Sequence, residues 1–538
     1  MKNPNLPLIL YFVTTFAFAS ADNPLYASFV QCLSEQGISN DVASQIVSNP
    51  NTPQFSTVLN SYIRNRRFNT SATPRPGLIV APTSEAHVVA AVVCAVRLEI
   101  HLRIRSGGHD YEGTSYVSGE RRFAMLDMSN FRSIDVDAAG RTAWVGSGAL
   151  IGELYYRIWE KSNTLAFPAG VCPTVGVGGH IAGAGYGNML RKHGVTSDHV
   201  LDARVVDASG RILDRASMGE DLFWAIRGGG GASFAVVLAY RIALVPVPPT
   251  VTVFQIEKFR SEDAAELVHE YQQAVSAMDD ELFVRVLIQP ITRNRTRTVR
   301  ATFIGQYLGP AQNLLNVTAR YFPKLGLTIS SCHEMPWIQS VLYWDDRTNL
   351  TRSPEELLNR NPNSAGYLKR KSDYVKKPIP VNGLNRMFDE IIRVGRVGMV
   401  FNSYGGVNSR IPATATPFPH RDGNLFKIQY SVNWDNGSDS EDFVRQSREL
   451  YEFMTPYVSE NPRQAYFNYR DLDIGVMPAG ESSYGQGKVY GEKYFKENFD
   501  RLVRIKTRVD PRNFFRNEQS IPTAQRSGGD AVARRVNA

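Results

Sequence analysis

The chain has 538 residues, 43% of them hydrophobic and 21% charged, with a formal net charge of +8 at pH 7 and a pI near 9.1. Those fractions are ordinary for a globular protein, and the length exceeds what one hydrophobic core usually serves, so two folded domains are expected. The basic excess reads first as a solvated surface and second as affinity for cell-wall or matrix polyanions. Nucleic-acid binding stands a poor third, because no zinc-finger spacing, basic-zipper heptad or RNA-binding aromatic motif occurs.

At the start, Lys2 precedes an apolar run from Leu8 to Ala19 and a small-residue Ala19-Ser20-Ala21 site, the pattern of a secretory signal cleaved after Ala21. The run is too short for a membrane span, and no later segment approaches ~20 continuous apolar residues. Five Asn-x-Ser/Thr sequons, at Asn69, Asn294, Asn316, Asn349 and Asn436, agree with passage through a secretory lumen. In that oxidising compartment Cys32 and Cys94, each within a helical pattern, are the expected disulfide. Cys172 sits among Pro and Gly in a loop, and Cys332 is left over as a free, mostly buried thiol.

From Pro74 strands and helices alternate: GLIVAPT, a helix through Cys94, then HLRIRSGGHD, a strand running into a glycine turn. RRFAMLDMS, RTAWVGSGA and VLDARVVDASG read as further strands, with a helix near Leu150 to Ser162. The run VPVPPT, from Val245 to Thr250, is the best linker. Beyond it TVFQIEKF, ELFVRVLIQP and TVRATFIGQYL read as strands of a mixed sheet, with SEDAAELVHEYQQAVSAM as a helix. After Gly475, YGEKYFKENFDRLVRIKTRVD reads as one long amphipathic helix, followed by an extended NFFRNEQSIP that returns to the first domain.

Glycine turns alone decide nothing, and no GxGxxG opens a helix in the nicotinamide fashion. The specific signal is the combination of Arg105-Ser106-Gly107-Gly108-His109 with Cys172 in PAGVCPTVGVGGH and the following GAGYGNMLRKHGVTSDHVLDARVVDASG. With GEDLFWAIRGGGG, KIQYSVNW, NYRDLD and DPRNFFRNEQSIP, it closely resembles the plant berberine bridge enzyme-like family. That family lies within the vanillyl-alcohol-oxidase-like FAD proteins and carries a PCMH-type FAD-binding domain; the likeness runs from Tyr26 to Pro522.

The resemblance implies an α+β, two-domain fold. Its layout would be a signal peptide over 1–21, an FAD-binding domain over 22–248 with a core at 74–248, and a substrate domain over 249–475. A C-terminal segment over 476–522 would return to the first domain, leaving a disordered tail over 523–538. It also implies FAD bonded bicovalently, by His109 to the flavin 8α-methyl carbon and by Cys172 to C6. A neutral imidazole and a thiolate can each add to an electron-poor ring. Arg105, Ser106, Gly107, Gly108, Gly178, Gly179, His180 and Gly183 are the expected cofactor contacts.

Loss of hydride from a hydroxyl-bearing carbon needs a base for the hydroxyl proton. In the family pattern Tyr469, Tyr111 and Tyr186 face the substrate, with Lys427 and Gln429 beside them. The Lys427 ammonium is expected to lower the Tyr469 pKa and make that phenol the base. Lys427 stands where alkaloid- and cannabinoid-acting members typically carry a glutamate, which argues against alkaloid chemistry. Val175, three residues after Cys172, resembles a gate whose short side chain admits dioxygen. The function implied is a secreted, monomeric FAD oxidase acting on a cell-wall carbohydrate or a monolignol-type alcohol, with no metal. A catalytically idle flavin-carrying defence protein and a sugar-lactone oxidase are the rival readings.

Overall fold

The computed structural model describes residues 24–345, 349–360 and 365–524. The signal sequence expected over residues 1–21 lies outside them, as does the expected tail beyond residue 524. Three parallel strands, Leu78–Val80, Phe123–Asp127 and His101–Arg105, form the first sheet, with Val47–Ser48 antiparallel at its edge. Parallel strands need a crossover, and helix Glu85–Arg97 supplies it, capped where the Ser84 hydroxyl accepts from the His87 N–H. Cys94 on this helix is bonded to Cys32 on helix Pro24–Glu35, with Cα atoms 5.8 Å apart, the pairing expected. Five antiparallel strands form a second sheet, in the order Ile134–Asp137, Thr142–Gly146, Val236–Ala243, Val200–Val206, Ile212–Leu213. Part of the linker is itself ordered, since Val245–Pro246 pairs with Leu165–Ala166.

The third sheet has seven strands, in the order Cys332–Met335, Val251–Phe259, Thr296–Tyr307, Leu282–Arg293, Gly398–Ser403, Phe426–Trp434, Tyr367–Val375. A mixed sheet was expected there, but every pairing is antiparallel. Hairpin connection explains it: Asn294 and Arg295 both take positive φ, making the two-residue turn that joins adjacent antiparallel strands.

Strand alternation splits this sheet chemically. Val284, Val286 and Ile288, with Met399, Phe401, Phe426 and Ile428, face helices Ala264–Ala274, Val381–Val394 and Ser440–Phe453 in one apolar cluster. Residues of the other parity lie on the opposite face in two cross-strand rows. Arg285, Asn402, Lys427 and Tyr374 form one; Leu287, Val400, Gln429 and Ser372 form the next.

The long C-terminal helix expected over 490–510 is two helices, Tyr484–Phe495 and Asn498–Val509, broken where Lys496 takes φ of 48°. The break folds Phe499 back over Gly491, where a Cβ would stand 2.2 Å from the ring. Both helices pack into the core that holds the second sheet. Cys332 is unpaired as expected but only half-buried, because its strand is the sheet edge. All five sequon asparagines are exposed.

Candidate active site and cofactor cleft

A cavity of about 390 Å³ lies between the first two sheets and the polar face of the third. Its first wall is the turn after strand His101–Arg105, where Ser106, Gly107, Gly108 and His109 border the space. Gly108 has φ of 67°, and a Cβ there would stand 1.9 Å from the Tyr62 carbonyl oxygen, so only glycine fits. Arg105 is the exception among the residues expected here. Its guanidinium is buried and committed to Asp127 and to the Leu59 and Val58 carbonyls, away from the cavity. It anchors the end of helix Pro53–Ser61 rather than touching a ligand.

The loop with Cys172 and Val175 and the helix Val177–Ala182 make a second wall, bordered by Gly178, Gly179, His180 and Gly183. A Cβ on Gly179 would meet nothing within 4 Å, so the space before it belongs to the cavity. The Ser115 and Ser147 hydroxyls, in residues lining the same cleft, have no hydrogen-bond partner among the described residues. A glycine cradle with unpaired hydroxyls and apolar Leu102 and Val237 fits a long ligand with a polar chain and a flat ring system.

Both expected attachment residues open on this space. Burial, with Arg64 nearby, lowers the His109 pKa to about 3, so the imidazole is neutral at working pH. Its Nε2 lies 3.1 Å from the Thr174 hydroxyl, which ties it to the Cys172 loop. The Cys172 side chain is exposed to the cavity, yet burial among protein groups raises its pKa, with Arg285 opposing. His180 is also held neutral by burial, its pKa lowered to about 3, and its Nε2 accepts from the Gly170 N–H at 3.2 Å.

The third wall carries the phenols. Tyr186 and Tyr469 share a hydrogen bond between their hydroxyls. Gln429 donates to the Tyr111 oxygen at 3.0 Å, and the Tyr111 and Tyr469 rings stand 5.7 Å apart. Lys427 does not border the cavity. Its Nζ, fully buried and without a hydrogen-bond partner among the described residues, lies 3.4, 3.7 and 4.4 Å from the ring centres of Tyr186, Tyr466 and Tyr469.

The expected depression of the Tyr469 pKa is not what this geometry gives. Burial pushes the Tyr469 phenol well above its ordinary value, reinforced by Tyr186 and Tyr111. Burial likewise pushes Lys427 well below its own, with Arg285 adding to it. The ammonium meets ring faces rather than a phenol oxygen.

Three residues were missed by sequence reasoning. Arg285 borders the cavity, fixed by its Nε donating to Asn402 Oδ1 at 2.8 Å, and it lowers the Tyr186 and Tyr469 pKa values against burial. Arg370 lies over the Tyr111 ring at 5.7 Å, and Tyr466 completes the cage around Lys427. The parity of ELFVRVLIQP, in which Arg285 alternates with Val284 and Val286, was the one available signal for the first.

Residues 76–215 match the FAD binding domain family, and residues 465–522 match the family described as berberine and berberine like. Berberine bridge enzyme-like 21 of Arabidopsis thaliana is 54% identical over 524 residues, covering 96% of this chain and 97% of that protein. The chain belongs to the berberine bridge enzyme-like family. Among solved structures, the Bermuda grass isoallergen BG60 is 45% identical with a TM-score of 0.87, covering 92% of this chain and 100% of that one. The grass pollen protein Phl p 4, a glucose dehydrogenase, is 42% identical with a TM-score of 0.88, covering 93% and 100%. An isoleucine-to-valine variant of Phl p 4 is a glucose oxidase. This berberine bridge enzyme-like protein is accordingly an FAD-dependent oxidoreductase of a family acting on alcohol groups.

Proposed function

We propose that the protein is a secreted oxidase that removes hydride from a hydroxyl-bearing carbon of a cell-wall carbohydrate or a monolignol-type alcohol and passes the electrons to dioxygen. The observation that carries this reading is one cavity wall with three phenols, facing a glycine-lined cleft that also holds His109 and Cys172. The division into domains falls near residues 248 and 475 in this reading, and the exposed sequons carry glycans.

FAD bound in the cleft, tethered through His109 and Cys172, supplies the hydride acceptor. Ser106, Gly107, Gly108, Gly178, Gly179 and Gly183 let backbone approach it, and the Ser115 and Ser147 hydroxyls donate to it. Tyr469 acts as the phenolate, held in that form by a hydrogen bond donated from Tyr186, and becomes the neutral phenol on taking the substrate hydroxyl proton as hydride leaves the carbon. The oxygen of Tyr111 accepts from Gln429, which leaves its own proton free to hold the substrate hydroxyl. A Tyr469 phenolate is offset by the Lys427 ammonium and by Arg285, so the wall carries charge as a pair rather than singly.

Val175 borders the cleft with its N–H on the Cys172 carbonyl and its carbonyl accepting from Ile151. It acts as the oxygen gate, and the isoleucine-to-valine shift from dehydrogenase to oxidase in Phl p 4 supports a valine in that role. The test is a hydrogen peroxide assay of the purified yellow protein against oligosaccharides and cinnamyl alcohols. Peroxide with one class identifies the substrate; none with either, while the flavin stays oxidised, overturns the proposal.

A further inference from the structure

Behind the phenols, strand Tyr367–Val375 carries two lysines of the same parity, Lys369 and Lys371, both 2% exposed. Buried ammonium groups are costly unless paired, and these two are fully engaged. Lys369 donates to Glu112 at 2.5 Å and to Asp471 at 2.8 Å. Lys371 donates to Asp471 at 2.5 Å and to Asp473 at 3.0 Å. Asp471 thus receives one lysine on each carboxylate oxygen, from two positions of a single strand.

The carboxylates come from segments that carry the site. Glu112 directly follows Tyr111, and Asp471 lies two residues after Tyr469. Further bonds run in parallel with the ionic ones. The Asn65 amide donates to both the Tyr111 and the Leu368 carbonyls, at 2.8 and 3.1 Å. The Tyr466 N–H donates to the Ser372 hydroxyl at 2.9 Å. Each tie joins strand Tyr367–Val375 to the loop bearing Tyr111 or to the segment bearing Tyr469. That strand pairs with Phe426–Trp434, in register Ser372 to Gln429 and Tyr374 to Lys427. One strand therefore references Tyr111, Tyr469, Gln429 and Lys427 to a common frame.

We propose that the buried cluster of Lys369, Lys371, Glu112 and Asp471 is a positioning device that sets the separation of Tyr111 and Tyr469 across the substrate space. This rests on the reading of those phenols as the groups that handle the substrate hydroxyl. A cluster serving stability alone has no need to draw its carboxylates from the two phenol-bearing segments. Ion pairs that bond no cleft-bordering residue, such as Arg211 with Asp207 at 2.7 Å, stabilise without touching a site segment. Burial lowers the Lys369 pKa, and Asp471 with Glu112 more than reverses this, so the pairs persist through the physiological range.

The decisive variant keeps the charge and changes the reach: Asp471→Glu, studied as flavin-loaded protein. Misplacement of reacting groups by ~1 Å costs on the order of 10²-fold in rate. The limiting anaerobic rate of flavin reduction should fall about tenfold or more, with KM within about twofold of wild type. Lys371→Arg, which also retains charge, should act in the same direction. Asp207→Asn serves as the comparison, lowering thermal stability without changing the limiting rate. Limiting rates within twofold of wild type in both charge-keeping variants, whatever their melting temperatures, overturn the proposal. So does a loss confined to KM. Tyr469→Phe separates the two levels: an unchanged rate there means the phenol assignment itself has failed, whereas a slow Tyr469→Phe beside a normal Asp471→Glu means only the positioning role has.

Discussion

Replacing Lys427 by methionine should move activity and stability in opposite directions. The methionine keeps the length and removes a charge whose nitrogen lies 4.4 Å from the Tyr469 ring centre. At an effective dielectric constant near 20, a full unit charge at that separation is worth at most about 4 kcal/mol to a phenolate, and burial, which favours the neutral amine, reduces that share. One pKa unit corresponds to ~1.4 kcal/mol. Because Arg285 still faces the phenols and burial disfavours the ammonium, the acid limb of the rate profile should shift upward by about one to two units, and the rate at neutral pH should fall roughly 10- to 100-fold. Stability should not fall with it. A lysine whose folded pKa lies below its unfolded value costs stability at every pH below about 10.4, and that cost disappears above it. Its removal should therefore leave the melting temperature level or raised, most clearly at low pH, since an apolar replacement of a buried charge is often neutral or stabilising. Anaerobic stopped-flow reduction from pH 5 to 10 and thermal melts over the same range provide both readouts. A variant whose rate profile overlays that of wild type would refute the role given to the caged ammonium. A variant that melts well below wild type would show instead that the cage holds the wall together.

FAD should remain with the polypeptide after acid precipitation, either His109→Ala or Cys172→Ala should retain one linkage, and only the double variant should release it; a colourless wild-type pellet would exclude the bicovalent tether. Val175→Leu should slow reoxidation of reduced flavin by oxygen while substrate reduction stays nearly constant, and an unaltered reoxidation rate would remove the gate. Cys94→Ser should lower stability by about 4 kcal/mol if the loop-entropy account holds for a sequence separation of 62 residues, read as a shift of the denaturation midpoint. A midpoint equal to that of wild type would show the N-terminal helix to be docked without the bridge.

Residues fixed by short-range constraint were legible in advance. Gly108 and His109 belong to a turn whose backbone admits only glycine, and Cys172 sits in a loop whose composition marks it off from packed cysteines. Cys32 and Cys94 each lay in a helical pattern, which left one sensible bridge. What was not legible depends on partners far away in the chain. Arg105 adjoins the glycine turn, yet its guanidinium is claimed by Asp127 and two carbonyls of a preceding helix. Lys427 was rightly placed beside Tyr469 but wrongly oriented, because contact with ring faces follows from the cross-strand row linking it to Asn402 and Arg285. Arg285 itself lies outside every motif. The break at Lys496 carries no glycine or proline to announce it, since it is imposed by the packing of Phe499.

The last described turn of the chain also closes the cleft. Arg516 and Asn517 border it, Glu518 pairs with Arg103, and the Ile521 N–H donates to the Ser233 hydroxyl. Arg103 and Glu518 are separated by 415 residues, which a ribosome working at ~5–20 residues per second takes roughly 20 to 80 s to add. Until then the glycine turns and the Cys172 loop, once made, stand without their final wall. The cleft is therefore complete only after almost the whole chain has been made. A chain cut short by a few dozen residues would hold His109 and Cys172 and still lack the wall that Arg516 and Asn517 provide.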